Sequence, residues 1–565
     1  STVKEEGVHM RESGRNFSAL GYIIRTWTGV LVVSLSFVGA SLATEAPPRN
    51  SFLAASNCAI GHCSPAQQDS YAASGPLGPT RTLSPSEMDF APLGQLHMAP
   101  AFSGLYPNGR RVIWSNGVDR IAKVDYDSFE VLSEYFFPGN DRTSREDGER
   151  YLGRINAHHG GIRGVWNALQ YASTLGGMAG IYTLLDVDHN YYIGATDGTL
   201  NAYAEVDPAD PASSIVLARS FRLPDHVTGS MVGMNMTFDG WLIVATEHGW
   251  VVAISRDFKE HHAIQLRYSE GREDGADESF GWIRNGFAVD SDGGIFIASH
   301  DHLHKVVWTG SELSVDESSG AWVAGYPNAT GRGTGATPTL MGFGTEEDHL
   351  VVISDGEEVM NVTLFWRDGI PEDWPGLEDE ATRRIAGRAR ADLGDASIRS
   401  FQTEQSQVVA GKGVLVVNNT PRNRPWYLPE SPRLDFLVLL GLMGSNPEHQ
   451  PFGVQKFEWD SERRTFSSVW VNREISSPNG VPGVSMASGM AYLVGAREDR
   501  WVLEGIDWET GESRFHWVMG DQRYNGLGSA VVLDEQGRIQ FGGSWGRVRL
   551  NIPSSSGDNR LEEER

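Results

Sequence analysis

The side chains most able to do chemistry stand at recurring places, just ahead of short apolar runs. His97 sits in LHMAPAF, His158 and His159 in AHHGGIRG, and His226 in DHVTGSM. Glu278 and Asn285 (DESFGWIRNG), Thr337 and Thr339 (GATPTL), Glu404 (FQTEQSQ), Asn479 (SPNGVPG) and Asn525 (RYNGLG) hold equivalent positions. Imidazoles drawn from several elements suit zinc, copper or iron, whereas Glu and Asn oxygens suit calcium. The expected metal ligands are therefore His97, His159, His226, Glu278 and Asn285, holding calcium or copper as a Lewis acid that activates water. His158, His159, Arg163 and Glu404 are the expected catalytic groups. Gly160, Gly161 and Gly164 permit close approach of a ligand to the backbone, Arg163 would hold an anion, and a histidine there suits a general base.

Residues so far apart act together only if the fold gathers them. From about residue 96 one pattern recurs: apolar strand, Asp/Gly turn, apolar strand, a Ser/Thr/Asn with a second turn, then a third strand. Clear copies are MNMTFDGWLIVATEHGWVVAISRDF from Met234, NGFAVDSDGGIFIASHDHLHKVVW from Asn285 and LLDVDHNYYIGATDGTLNAYAEVD from Leu184. The markers Ser115, Thr196, Thr246, Ser299, Ser354, Asn418, Arg497 and Ser544 are spaced near fifty residues, apart from insertions. Eight units of three or four short strands predict an all-β fold, a single β-propeller with eight blades, or seven if the last copy completes the first blade. Loop insertions fall at about 138–180, 366–400 and 420–450. The second holds the helix-like EDEATRRIAGRARADLG, and the third holds the apolar run from Phe436 to Met443, expected over the channel mouth, at a subunit contact or as a core strand.

Other clusters are less promising. His300, His302 and His304 alternate along one strand, away from the channel. Asp186-Val-Asp188, Asp290-Ser-Asp292-Gly293 and Asp534-Glu-Gln-Gly537 recur at the same hairpin and lack the Glu of a calcium loop, so they read as turns.

The segment GIDWETGESRFHWVMGD from Gly505 resembles the outer-strand repeat of quinoprotein (pyrroloquinoline quinone, PQQ) dehydrogenases and PQQ-like propellers, with weaker copies from Lys456 and Lys123. The stretch NGFAVDSDGGIFIAS resembles inner strands of gluconolactonase- and paraoxonase-like propellers. These resemblances imply an enzyme acting on a small molecule in the channel. Ester or lactone hydrolysis by metal-activated water leads. An oxidoreductase using PQQ or protein-bound copper is the alternative, and a non-catalytic binding scaffold is the third.

The 47 Lys and Arg against 73 Asp and Glu give a formal charge of −26, which excludes a nucleic-acid partner for the chain as a whole and argues against an anionic membrane. Arg11, Arg15 and Arg25 precede the uncharged run Thr28 to Ala43, which reads as a secretory signal peptide over residues 1–43. The mature chain is then expected in the periplasm or medium. Residues 44–95 are expected as an extended segment, 96–552 as the propeller and 553–565 as a disordered tail. The chain's two cysteines, Cys58 and Cys63, would form a local disulfide in an oxidising compartment.

Overall fold

The fold follows from strands too short and too apolar to stand alone. A computed structural model describes residues 45–175, 182–195, 197–270 and 281–553, and these fold as a β-propeller built from eight antiparallel-cored sheets. The predicted signal peptide, Thr196, Glu278 and nearly all of the predicted tail lie outside the described residues.

Sheet 1 contains Pro100–Phe102, Val112–Asn116, Arg120–Asp125 and Val131–Phe136; sheet 3 contains Met231–Met236, Leu242–Thr246, Trp250–Ile254 and His261–Gln265. Second strands such as Val112–Asn116, Leu242–Thr246 and Leu350–Ser354 are buried along their whole length. Outermost strands such as Ile215–Arg222 are largely exposed. That gradient is what radial stacking produces, because each sheet covers both faces of its neighbours except at the rim. Indole nitrogens tie adjacent sheets together. Trp308 Nε1 donates to Asp239 (2.9 Å) and Trp459 Nε1 to Asp348 (2.9 Å).

The recurring aspartates are turn formers, as expected. Asp186 Oδ1 accepts from the amides of Asp188 and Asn190, Asp290 Oδ1 from Asp292 and Gly294, and Asp534 Oδ1 from Gln536 and Arg538.

The segment 44–95 is woven into the propeller. Met88–Pro92 supplies the outermost strand of sheet 8, beside Gly546–Leu550, while Ser70–Tyr71 and Arg81–Thr82 add parallel edges to sheet 7. Between Asn50 and Tyr71 the chain crosses the channel floor and bonds to the inner strand of every sheet in turn. The Asn50 side chain donates to Met236 O, Asn57 to Leu533 O, and Cys58 O accepts from Phe102 N. Ile60 bridges Leu184, and the carbonyls of Pro65, Ala66, Gln68 and Asp69 accept from the amides of Val289, Leu340, Val409 and Val484. Innermost strands otherwise leave unpaired backbone groups facing the channel, so this segment closes an edge that would be costly to bury unsatisfied.

The insertion at 366–400 corrects an expectation. IAGRAR forms a strand, Ile385–Arg390, paired with Asn361–Trp366. Helical composition yields here to an open sheet edge, and Gly387 lets Phe466 of the next sheet pack directly on the backbone. The first insertion does form helices, α1 (Arg145–Ala157) and α2 (Gly161–Ala172). Ser144 caps α1 with a reciprocal Ser144–Asp147 box. The run at Phe436 becomes neither strand nor regular α-helix but a π-helical segment, Asp435–Leu442. It packs with α1 and α2 around Leu152, Val165, Tyr171, Leu439 and Trp545 to roof the channel.

Candidate active site

Between floor and roof lies a cavity of about 580 Å³. Its floor is Ile60, Gly61, His62 and the two cysteines. Its walls include Pro100, Tyr182, Asn285, Glu404, Gln405, Ser406 and Val532, and its roof Leu96, Ala172, Leu175, Phe436 and Leu437. The lining is mostly apolar with a few convergent polar groups, the usual character of a small-molecule site.

Those polar groups form a chain with a defined direction. Asp69 Oδ2 lies 2.5 Å from His62 Nδ1, and His62 Nε2 lies 3.4 Å from Ser406 Oγ. The Thr337 amide donates to Ser406 Oγ at 3.1 Å. Ser406 Oγ already accepts from that amide, so its own proton is free to point at His62 Nε2, and Nδ1–H then donates to the carboxylate. Asp69 is 1% exposed, and its Oδ1 has no partner among the described residues. Burial, with the nearby Asp69 charge adding to it, pushes the Tyr71 phenol well above its ordinary value, so Tyr71 stays protonated beside this carboxylate.

Backbone geometry places these groups. His62 (φ 56°), Cys63 (φ 61°), Gln67 (φ 63°) and Asp69 (φ 54°) all adopt left-handed conformations. Each costs roughly 1–2 kcal/mol for a residue with a side chain, and the cost is offset by the floor's bonds to the surrounding sheets. Cys58 and Cys63 are joined by a disulfide. Ser406 comes from the loop leading into the inner strand Val408–Ala410, and Gln407 holds that loop by donating to Thr337 O and Val352 O, both at 2.8 Å.

Of the residues expected to be functional, two line the cavity. Asn285 donates to Thr334 O (2.9 Å), and Glu404 faces Arg284 at 3.4 Å. His97 is fully buried with Nδ1 3.1 Å from Ser115 Oγ; desolvation, with the Arg120 and Arg547 charges, lowers its pKa to about 3, so it is neutral at pH 7. His226 is exposed against Trp250, and His158 and Arg163 are exposed at the α1–α2 junction. His159 anchors the roof, with Nδ1 2.6 Å from Asp499 and Nε2 2.6 Å from the Gln522 side chain. Asn479 and Asn525 clamp the π-helical segment, donating to Leu440 O and Gly441 O. Thr337 and Thr339 brace the wall, and His304 is a buried neutral histidine whose pKa burial lowers to about 3.

Of the expected metal ligands, the described ones, His97, His159, His226 and Asn285, are thus dispersed. Among the described residues no three His, Cys, Asp or Glu side chains gather to hold an ion, and both cysteine sulfurs are committed to each other. The described residues thus assemble no cluster for calcium or copper, and no step below runs through a metal or PQQ. The sequence reading missed the connection between His62, Asp69 and Ser406. The visible signals were the CAIGHC motif and the serine beside Glu404 in FQTEQSQ; nothing in spacing joined them across some 340 positions.

The architecture defines a β-propeller whose channel is plugged by its own N-terminal segment. The chain belongs to the same family as an uncharacterized protein of Archaeoglobus fulgidus, 30% identical over 516 residues and aligned across 89% of each chain. No family model matches it. Solved structures to which it is similar include quinohemoprotein alcohol dehydrogenases from Comamonas testosteroni (12% identity, 86% of this chain and 76% of that one, TM-score 0.48) and Pseudomonas putida (13%, 87% and 76%, 0.46). BamB from Moraxella catarrhalis is a third (12%, 83% and 98%, 0.39).

Proposed function

We propose that the protein is an exported hydrolase of small, largely apolar esters or lactones, working in the channel of an eight-bladed ring by a serine nucleophile in place of the metal-activated water expected from sequence. The observation that carries this reading is the directed chain Thr337 N–H, Ser406 Oγ, His62, Asp69, which opens into the apolar cavity. Ser406 Oγ attacks the substrate carbonyl while His62 Nε2 takes the hydroxyl proton, giving a tetrahedral oxyanion. Asp69 holds the imidazole in the Nδ1–H tautomer and stabilises the cation that forms. His62 then returns the proton to the departing alkoxide oxygen, leaving an acyl group on Ser406. Water, deprotonated by the same imidazole, releases the acid. Gln405, adjacent in sequence and also lining the cavity, has a buried side-chain nitrogen without a partner among the described residues and supplies the donor for the oxyanion.

The test is labelling with a fluorophosphonate probe alongside hydrolysis of short-chain nitrophenyl esters and aromatic lactones. The expected result is stoichiometric phosphonylation of Ser406, with kcat/KM falling about 10³-fold or more in Ser406→Ala. Full activity in that variant, or no turnover by the wild-type protein, overturns the reading.

A further inference from the structure

Resting on that reading, we infer that the Cys58–Cys63 disulfide is a positioning element for His62, setting the imidazole against Ser406. His62 lies inside the loop that the disulfide closes, directly before Cys63, and both residues hold left-handed backbone conformations that a free chain rarely adopts. The cysteines are separated by only 5 positions. A cross-link stabilises globally through the loop entropy it removes, and so short a loop removes less than a long one. Its further effect is local: it fixes the two φ angles that point the imidazole into the cavity.

The surroundings fit a permanent cross-link. Cys58 is 1% exposed, and the Tyr71 phenol donates to Cys63 Sγ at 3.3 Å, pinning the loop's second end. Both cysteines line the cavity, but Cys63 is half-buried where Cys58 is buried, so an incoming thiol meets Cys63 more readily, and attack there expels the Cys58 thiolate into a buried setting beside Pro100, where its charge is poorly solvated.

The experiment compares the wild-type protein with Cys58→Ser/Cys63→Ser, reading ester hydrolysis and, separately, the imidazole nitrogens of His62 by ¹⁵N NMR on histidine-labelled protein. The expected wild-type spectrum shows His62 fixed as the Nδ1–H tautomer. The double variant should show averaged nitrogens, with kcat reduced about 10- to 100-fold and KM within about threefold. A packing defect spreading beyond the floor would raise KM as well, and that outcome counts against a positioning role. Should the serine variant fail to fold, Cys58→Ala/Cys63→Gly supplies the same test, since glycine accepts φ 61° without strain. An unchanged His62 spectrum in either folded variant overturns the inference. Absence of turnover in the wild-type protein overturns only the hydrolase reading, because the tautomer is read without substrate.

Discussion

The channel is closed at its two ends by different means. The floor is mainly backbone: between Asn50 and Tyr71 amides and carbonyls bond to most of the inner strands, the Asn50 and Asn57 side chains reach the other two, and four non-glycine residues adopt left-handed conformations. The roof is side chain: α1, α2 and the π-helical segment share an apolar cluster and are tied down by Asn479, Asn525 and His159. A backbone seam fixes position to a fraction of an ångström, because shifting it breaks many bonds at once, whereas side-chain anchors over an apolar cluster tolerate repacking. The groups that carry proton transfer in the reaction proposed above, His62 and Asp69, belong to the floor, and the roof contributes mainly apolar surface.

If that division holds, a floor substitution should damage turnover and a roof substitution should damage binding. Asp69→Asn is the largest expected effect. An amide oxygen can accept from Nδ1–H but carries no charge to stabilise an imidazolium, and its NH2 can instead donate to Nδ1 and hold the wrong tautomer, so kcat should fall about 10²- to 10⁴-fold with KM little changed. Steady-state kinetics on a short-chain ester checks it. A variant that loses substrate binding instead would place Asp69 among the merely structural bonds of the floor.

Asn479→Ala probes the other end. The Asn479 amide donates to Leu440 O (2.8 Å) and Gly441 O (3.1 Å), and it is fully buried. Removing it takes this donor from Leu440 O, while Gly441 O keeps the Asn525 side chain (2.8 Å), at a cost of about 1–3 kcal/mol. The expected outcome is a lower melting temperature, KM raised about 3- to 10-fold and kcat within about twofold. A kcat loss as deep as that of Asp69→Asn would abolish the distinction between floor and roof.

The same contrast explains what was readable from sequence. The propeller was legible because Asp/Gly turns and alternating apolar residues repeat, and repetition survives without any knowledge of contacts. Asn479 and Asn525 were singled out as polar residues ahead of inner strands, yet their partners are carbonyls of the π-helical segment, which no side-chain pattern announces. His62 and Ser406 meet only because the N-terminal segment folds back under every sheet, a path set by free strand edges more than by periodicity. The metal site read into His97, His159 and His226 came from treating equivalent places in a repeat as convergent in space. The histidines are in fact buried in a wall, docked to a turn and exposed beside Trp250, respectively.

His97 gives the smallest effect and a comparison with His62. Both are half-buried or buried imidazoles, but His62 faces a carboxylate, whereas His97 has a hydroxyl and lies near the charges of Arg120 and Arg547. With a folded-state pKa of about 3 against an ordinary 6.5, His97 stays neutral in the folded protein while the unfolded chain takes up a proton below about pH 6.5. The unfolded state then binds more protons, so stability falls as pH drops from about 6.5 towards 3, by about 1.4 kcal/mol per pH unit for one such group. His304, lowered to about 3 by burial, acts in the same direction. His97→Gln keeps a hydrogen-bonding group beside Ser115 but cannot titrate. Its unfolding free energy, measured by denaturant titration between pH 6 and pH 4, should decline less steeply than that of the wild-type protein, by close to one proton's worth. Equal slopes would mean that His97 gains a proton in the folded state over this range, and that the wall around it admits charge as the floor does.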